Sequence, residues 1–326
     1  MNRPSLITLF IAAIISIGSA ASCSKSPDSA KRLPPTKGKI GMTCMDLTNP
    51  FFKLIADVMK EEAAKHGYDL VAQNGANDPA AQNSQLSDFV AQGYSAIFLN
   101  PADSKAAGEG VKKAHAAGIP VFTFDVDITD EAAKELVEYH IGSDNYQGGQ
   151  LAGESMLEVT GNRGQIAIIT FPEITSCILR RNGFVDYLKE HNSQLEIVVE
   201  LSGRGNRVDG NTVATDILQS HPEIVAIFAV NDPSALGAYA AIKKAGREKD
   251  IHLIGFDASP AGKQAVFDKQ LYDSPQQFPR NMAIGTVEAY IKYLEGKPLP
   301  KREFIPCKHY RYDDSTHDES RIKEQW

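Results

Sequence analysis

Cysteine is scarce in this chain, four among 326 residues, and one of the four, Cys23, stands next to the N-terminal leader. The remaining three, Cys44, Cys177 and Cys307, are an odd number, which excludes a disulfide framework. A single bridge stays open; buried free thiols are the expectation, and Cys44 lies inside an apolar run that suits a small hydrophobe. Basic blocks are absent too, and the net charge is −7. Phosphate backbones and anionic lipid surfaces select clustered Lys and Arg, so nucleic acid and a charged lipid surface are not expected as partners. The one long apolar run, Leu6–Ile17, is short of the roughly 20 residues a membrane helix needs. Catalytic signatures are missing: there is no nucleophile elbow and no Walker loop, and the eight histidines show no His-x-x-x-His spacing. Gly203–Gly210 lacks the Gly-Lys-Ser/Thr ending of a phosphate loop. Asp125-Val126-Asp127 lacks the following Gly and Glu of a calcium loop. The expectation is a protein that is not an enzyme and holds no metal and no cofactor.

What is present is a device repeated at the ends of apolar runs. Lys39–Met45 leads to Asn49-Pro50-Phe51-Phe52, Ala96–Leu99 to Asn100-Pro101, and Val121–Phe124 to Asp125. Ala226–Val230 leads to Asn231-Asp232-Pro233, and Leu253–Phe256 to Asp257. Strand patterns alternate with helical ones throughout. Phe51, Phe52, Ile55, Ala56, Val58, Met59 and Ala63 recur at helical spacing, with Asn49 as cap, Pro50 in the first turn and Gly67 as stop. Ser104–Gly118 reads as a helix, Leu271–Ser274 as a late strand, and Val126–Glu138 as a charged connection. Strict alternation implies right-handed βαβ units in parallel sheets with helices on both faces, and a second series starting near Tyr139 implies two similar lobes. Ligands of such sheets bind beyond the carboxyl ends of the strands. The strand-end amides and carboxylates therefore gather around one cleft, and groups that both donate and accept suit an uncharged polyhydroxyl ligand, a sugar.

Organisation follows. Residues 1–22 read as a signal peptide: Arg3, an apolar core, then small residues. Ala20-Ala21-Ser22-Cys23 resembles a lipoprotein cleavage box with Cys23 as the lipidated residue, although leucine is usual where Ala20 stands; ordinary cleavage after Ala20 or Ala21 is the alternative. Residues 23–37 read as a flexible tether. Roughly 285 residues remain, room for two medium α/β domains. The expected division is 38–143 with 278–299 as the first lobe, 144–277 with 300–312 as the second, and 313–326 as a polar tail. Lys308–Trp326 is read as peripheral. The expected place is the periplasm or cell surface, anchored by lipid, with a soluble periplasmic form as the alternative.

Asn49-Pro50-Phe51-Phe52, Asn100-Pro101-Ala102-Asp103-Ser104, Asn231-Asp232 and Gly255-Phe256-Asp257, in that order and spacing, resemble the ribose-binding family of type I periplasmic solute-binding proteins. The likeness spans about residues 39–300. It implies two Rossmann-like lobes joined by a three-crossing hinge, a monosaccharide in the inter-lobe cleft, and an ABC permease in the cytoplasmic membrane as partner of a monomer. It also implies a ligand set. Asn49 bonds a hydroxyl, Phe51 and Phe52 sandwich one side of the ring, Asn100 faces them, and Asp125 takes two hydroxyls. Arg180, in Arg-x-x-Gly-Phe, is the second-lobe arginine, and Asn231, Asp257 and Gln277 complete the set. Two positions depart. Val126 stands where ribose binders have arginine, and Arg204-Gly205-Asn206 stands where they have an aromatic. Ile174-Thr175-Ser176-Cys177-Ile178-Leu179-Arg180, Ala238-Tyr239-Ala240-Ala241 and Gln276-Gln277-Phe278-Pro279 resemble the fructose-binding branch, so the sugar implied is a ketohexose such as fructose, or ribose.

Each residue has a plainer reading. Asn-Pro before a helix is often only a cap and first-turn pair, strand-end acids are often caps, and adjacent phenylalanines can be core. Two adjacent rings cannot both face a core squarely, so one should reach the cleft. Buried carboxylates need partners, which predicts an open form satisfied by water and a closed form satisfied by ligand. Closure is hinge motion, expected near Ser143/Asp144, Gln277/Phe278 and Leu299/Lys301. A sugar-responsive repressor shares such a core but carries a helix-turn-helix where this chain has its leader. A sensing role, in which a membrane receptor reads the closed form, or another polyol or furanose as ligand, stays open.

Overall fold

The computed structural model describes residues 36–312. The expected signal peptide, Cys23 with most of its tether, and the polar tail 313–326 lie outside the described residues.

The first lobe runs β1 (Gly38–Cys44), α1 (Pro50–Lys65), β2 (Tyr68–Asn74), α2 (Pro79–Ala91), β3 (Ala96–Leu99), α3 (Gly108–Ala116), β4 (Val121–Phe124), the single turn α4 (Glu131–Lys134) and β5 (Val137–Ser143). The second continues with α5 (Asn145–Thr160), β6 (Arg163–Thr170), α6 (Thr175–Glu190), β7 (Gln194–Ser202), α7 (Arg207–Ser220), β8 (Ile224–Ala229), α8 (Asp232–Lys244), β9 (His252–Ile254) and α9 (Pro260–Phe267). The chain then returns to the first lobe as α10 (Pro279–Leu294) and β10 (Arg302–Ile305). Both sheets are parallel throughout, ordered β10-β5-β4-β3-β1-β2 and β7-β6-β8-β9. Strands covered on both faces read as unbroken apolar runs, and every residue of β3 and β4 is buried.

Local chemistry sets the helix starts. Asn49 Oδ1 accepts from the Phe51 amide at 3.0 Å, and Asp78 Oδ1 from those of Ala80 and Ala81 at 2.8 and 3.2 Å. Pro50 and Pro79 follow these caps, where a missing N–H costs nothing. Packing then sets the lobes. Phe98, Phe122 and Tyr290 meet edge to face at 5.7–6.0 Å, locking α10 onto the first sheet. Phe184 stacks on Phe228 at 4.6 Å in the second lobe. Helices α5 and α6 touch backbone to backbone. A Cβ on Gly149 would lie 2.1 Å from the Arg180 carbonyl oxygen, and one on Gly183 2.0 Å from that of Tyr146.

Four sequence expectations change. Leu271–Ser274 is not a strand; Asp273 and Gln276 make only isolated bridges, to Ile254 and Asp257 and to Arg311 and Lys308. Helix α3 starts at Gly108 rather than near Ser104, because Asp103 Oδ1 takes the Lys105 and Ala106 amides at 2.8 and 2.7 Å and holds a turn there. Residues 300–312 do not all belong to the second lobe. Arg302–Ile305 pairs with His140–Ser143 as the edge strand β10 of the first sheet, so the third crossing falls after Ile305, not at Leu299/Lys301. A tail beyond Ile305 is not wholly peripheral either. Asp273 is fully buried and draws donors from it, the Tyr310 amide at 3.1 Å and the His309 ring at 2.7 Å, while Ser155 Oγ donates at 2.5 Å. A buried carboxylate needs such partners. The first crossing follows Ser143 and the second lies at Gln277–Pro279. The Asp144 amide bonds the Ile305 carbonyl at 2.8 Å, tying the first crossing to the third.

Candidate functional site

Two strand ends carry acids in backbone conformations that L-residues avoid. Asp125, just after β4, has φ +61°, and Asp257, just after β9, has φ +109° with Ala258 at +46°. Such positions cost on the order of 1–3 kcal/mol each and persist only where surrounding bonds over-determine them. At Asp257 those bonds are visible. Its amide donates to the Pro275 carbonyl at 2.9 Å, and the Ala258 amide to Ser274 Oγ at 2.8 Å. Fully buried Asp232 accepts from Ser274 Oγ, Ser259 Oγ and the Ser259 amide, each at 2.7 Å. Asp232 and Ser274 are thus the brackets of the turn that presents Asp257.

Arg180 lies at 4 % exposure on α6. Its Nε donates to Asn145 Oδ1 at 2.8 Å, and its Nη1 to the Val230 carbonyl at 2.9 Å and to Asp257 Oδ1 at 3.1 Å. The guanidinium rests 4.0 Å above the Phe256 ring. Asn145 Nδ2 donates in turn to the Ser143 carbonyl at 3.0 Å, which links the arginine to the first lobe crossing. Gln277 Nε2 donates to Asp257 Oδ1 at 2.6 Å, while its Oε1 is buried without a partner. Arg180 Nη2 carries two more N–H groups, and none of the described residues accepts from them.

The first lobe is less tied. Asp125 Oδ2 accepts from Asn100 Nδ2 at 3.1 Å. Burial pushes the Asp125 carboxyl from 3.8 up to about 7, Arg180 opposing and Asp257 adding to the shift. Burial also raises Asp257 and Asp232 above the usual carboxylate range. Cys177 is pushed up to about 11, again chiefly by burial, so its thiol is unreactive at neutral pH.

These groups enclose a cavity between the lobes with about 80 Å³ open to water centres, on the order of five waters' worth of room. Asn49, Phe51, Phe52, Asp125, Arg180, Asn231, Asp257 and Gln277 line it. Both phenylalanines reach the wall, edge to face at 5.2 Å. Asn100 does not. It stands fully buried behind Asp125, its Oδ1 accepting from the Met45 amide at 3.2 Å and its Nδ2 also reaching the Phe124 carbonyl at 3.3 Å. Asn231 lines the cavity, but its Oδ1 caps the Ser234 amide and its Nδ2 holds the Gly205 carbonyl at 2.9 Å. Sequence reasoning did not assign Phe171, Ser176 and Cys177 to the wall, nor Asn145, Asp232 and Ser274 to its support. The Arg204-Gly205-Asn206 departure has a structural answer. Gly205, at φ +64°, leaves the space in which Phe171 sits; a Cβ there would meet Phe171 Cδ1 at 2.9 Å. An aromatic thus reaches this wall from the end of β6. Among the described residues no group of three His, Cys, Asp or Glu side chains could hold a metal, and no helix is long and apolar enough to cross a membrane.

Residues 40–298 match the family described as the periplasmic binding protein domain. The chain belongs to this family. Within it, the chain is 33% identical over 273 residues to the ribose import binding protein RbsB of Escherichia coli K12, covering 83% of this chain and 90% of that protein. It is also similar to the crystal structure of an ABC transporter solute binding protein from Bacillus halodurans C-125 with bound myo-inositol. That likeness has a TM-score of 0.79 at 26% identity and covers 89% of this chain and 98% of the other. An Actinobacillus succinogenes 130z periplasmic solute binding protein with bound D-allose superposes with TM-score 0.79 at 25% identity, covering 86% and 99%. As a periplasmic binding protein, the chain has the two parallel sheets that its strand–helix alternation implied and the three crossings that the family resemblance implied.

Proposed function

We propose that this chain is the exported substrate-binding protein of an ABC sugar importer, and that it closes on one neutral monosaccharide between its lobes. One arrangement carries the reading. The two N–H groups of Arg180 Nη2 and the Asp125 carboxylate converge on a cavity that Gln277 also lines and that Phe51, Phe52 and Phe171 wall. A sugar ring matches this chemistry. Its C–H faces bury apolar area against the rings at about 25 cal/mol per Å². Its hydroxyls donate to Asp125 and Gln277 and accept from Arg180, the charged bonds being about twice as strong as neutral ones. The cavity carries two carboxylates against one buried guanidinium, which disfavours an anionic ligand. The names of the relatives, ribose, D-allose and myo-inositol, are all neutral polyols and agree in class. A ketohexose such as fructose, or ribose, is the proposed ligand. The protein acts by binding and hand-over to a permease, as a monomer, and not as an enzyme. Residues 1–22 direct export and Cys23 carries the lipid, leaving the globule in the periplasm or at the cell surface on a membrane anchor.

The test is a thermal-shift screen against D-fructose, D-ribose, D-allose, myo-inositol and D-glucuronate. Binding to the folded state raises the melting temperature by mass action. A shift with one neutral sugar and none with glucuronate is expected. A shift with glucuronate alone, or with none of the five, overturns the reading.

A further inference from the structure

Helix α6 starts without a cap of its own. Ile174 occupies its N-cap, and no N-cap side chain bonds its first turn. Isoleucine is among the poorest residues there, because it has no oxygen to accept from the orphan amides. The Thr175 amide is nevertheless satisfied. It donates to Ser104 Oγ at 3.2 Å, and Ser104 belongs to the other lobe. Ser104 is presented rigidly: it is 3 % exposed, its carbonyl takes the Thr129 amide at 2.8 Å, and Asp103 holds the turn around it. Neither Ser104 nor Thr175 lines the cavity, whereas Ser176, Cys177 and Arg180, on the same first turns of α6, do.

We propose that Ser104 is a helix cap supplied across the cleft: a positioning residue that completes α6 only when the lobes meet, and so favours the closed form without touching the ligand. The inference rests on the reading that the lobes close on a ligand. Because Ser104 acts on the open–closed balance, it contributes equally to every ligand and leaves discrimination to the cavity wall. Opening uncaps α6 near Arg180, whose own seat on Asn145, Val230 and Asp257 stays within the second lobe.

The experiment removes acceptor and donor separately. Ser104→Ala removes the hydroxyl. Thr175→Pro removes the N–H while keeping the helix start, since proline is favoured at the first helical position. Ile174, at φ −116° and ψ 121°, already has the extended backbone required before proline. With dyes on the exposed Lys60→Cys and Lys249→Cys, single-molecule energy transfer reads the closed-to-open ratio without any sugar. Each variant is expected to lower that ratio about fivefold, the factor for a cap of about 1 kcal/mol at 1.4 kcal/mol per tenfold. The double variant is expected to fall no further than either single, and Ser104→Thr, which keeps a hydroxyl, to restore the ratio. In titrations with D-fructose and D-ribose, Kd rises by the same factor for each sugar that binds. An unchanged closed fraction in both single variants, fully additive losses, or a loss selective for one sugar overturns the proposal. If wild type binds neither sugar, the fructose-or-ribose assignment fails, and the energy-transfer comparison still decides the cap.

Discussion

Asp125 and Asp257 occupy equivalent places in the two lobes, each just past a strand end with positive φ, yet the molecule treats them differently. Asp257 is met by Arg180 and Gln277 and sits on a turn bracketed by Asp232 and Ser274. Asp125 accepts a side-chain hydrogen bond from Asn100 and is pushed to about 7 by burial. The second lobe is built ready for a ligand, with its charge already compensated. On the proposed reading, the first lobe keeps a carboxylate that the ligand's hydroxyls complete. A binding protein benefits from this division: the finished half fixes orientation, and the unfinished half gives the lobes a reason to close.

The sharpest way to break the comparison is Arg180→Ala. It removes the guanidinium from beside buried Asp257, and breaking a buried pair by removing one member typically costs about 3–5 kcal/mol. Denaturant unfolding of the ligand-free protein should show that loss, with ligand affinity falling at least a hundredfold; an unchanged midpoint would mean that Asp257 is not held as described. Gly183→Ala comes next. A methyl 2.0 Å from the Tyr146 carbonyl oxygen must push α6 off α5, at about 1–3 kcal/mol for overpacking. Affinity should fall with stability, since Arg180 travels with the helix; stability falling alone would show that the arginine is seated by its bonds and not by the helix contact.

Asp125→Asn should behave in the opposite way. Ligand-free stability should hold or rise, because an under-partnered buried acid is neutralised. Affinity should drop about tenfold, because charge-assisted bonds of about 1.5–3 kcal/mol become neutral ones of about 1. Calorimetry and thermal melts on the same sample separate the two effects, and a fall in ligand-free stability would erase the contrast with Asp257.

A further test of the contrast is the pH dependence. The folded Asp125 pKa is raised from 3.8 to about 7, so between those values the native state holds more protons than the unfolded state. Stability contributed by this group is therefore greatest at the acid end and declines as pH rises towards 7. Asp232 and Asp257 shift in the same direction. The difference between wild type and Asp125→Asn isolates the one carboxyl, and that difference in unfolding free energy should change across pH 4–7. Ligand affinity should rise with pH over the same window and flatten in the variant. A difference independent of pH would show that Asp125 ionises normally.

Much of this was legible in the sequence because it is local. An Asn followed by Pro after an apolar run reports a cap, and a cap reports where a strand ends, so Asn49 and Asn231 were readable at the helix starts they occupy. Asp125 and Asp257 were readable as strand-end acids by the same rule. Asn100 shows the limit. Its strand end is as clear as the others, but whether a side chain there faces the cavity or the residue behind it depends on the neighbouring strand, and Asp125 stands in front. Leu271–Ser274 has a strand's composition, yet beside three-residue β9 it finds only isolated bridges. Arg302–Ile305 carries no mark of which sheet it will join.

The sequence by itself determined the alternation of strand and helix, the caps, and the row of polar residues at the carboxyl ends of the strands, because these follow from interactions within a few residues. Only the tertiary structure decided which acid is compensated, which aromatic fills the space left at Gly205, and that α6 takes its cap from a serine in the other lobe. Each of those depends on groups 25 to 77 residues apart in the chain, such as Asn100 with Asp125 and Arg180 with Asp257, and distance along a chain carries no information about distance in space until the sheets are assembled.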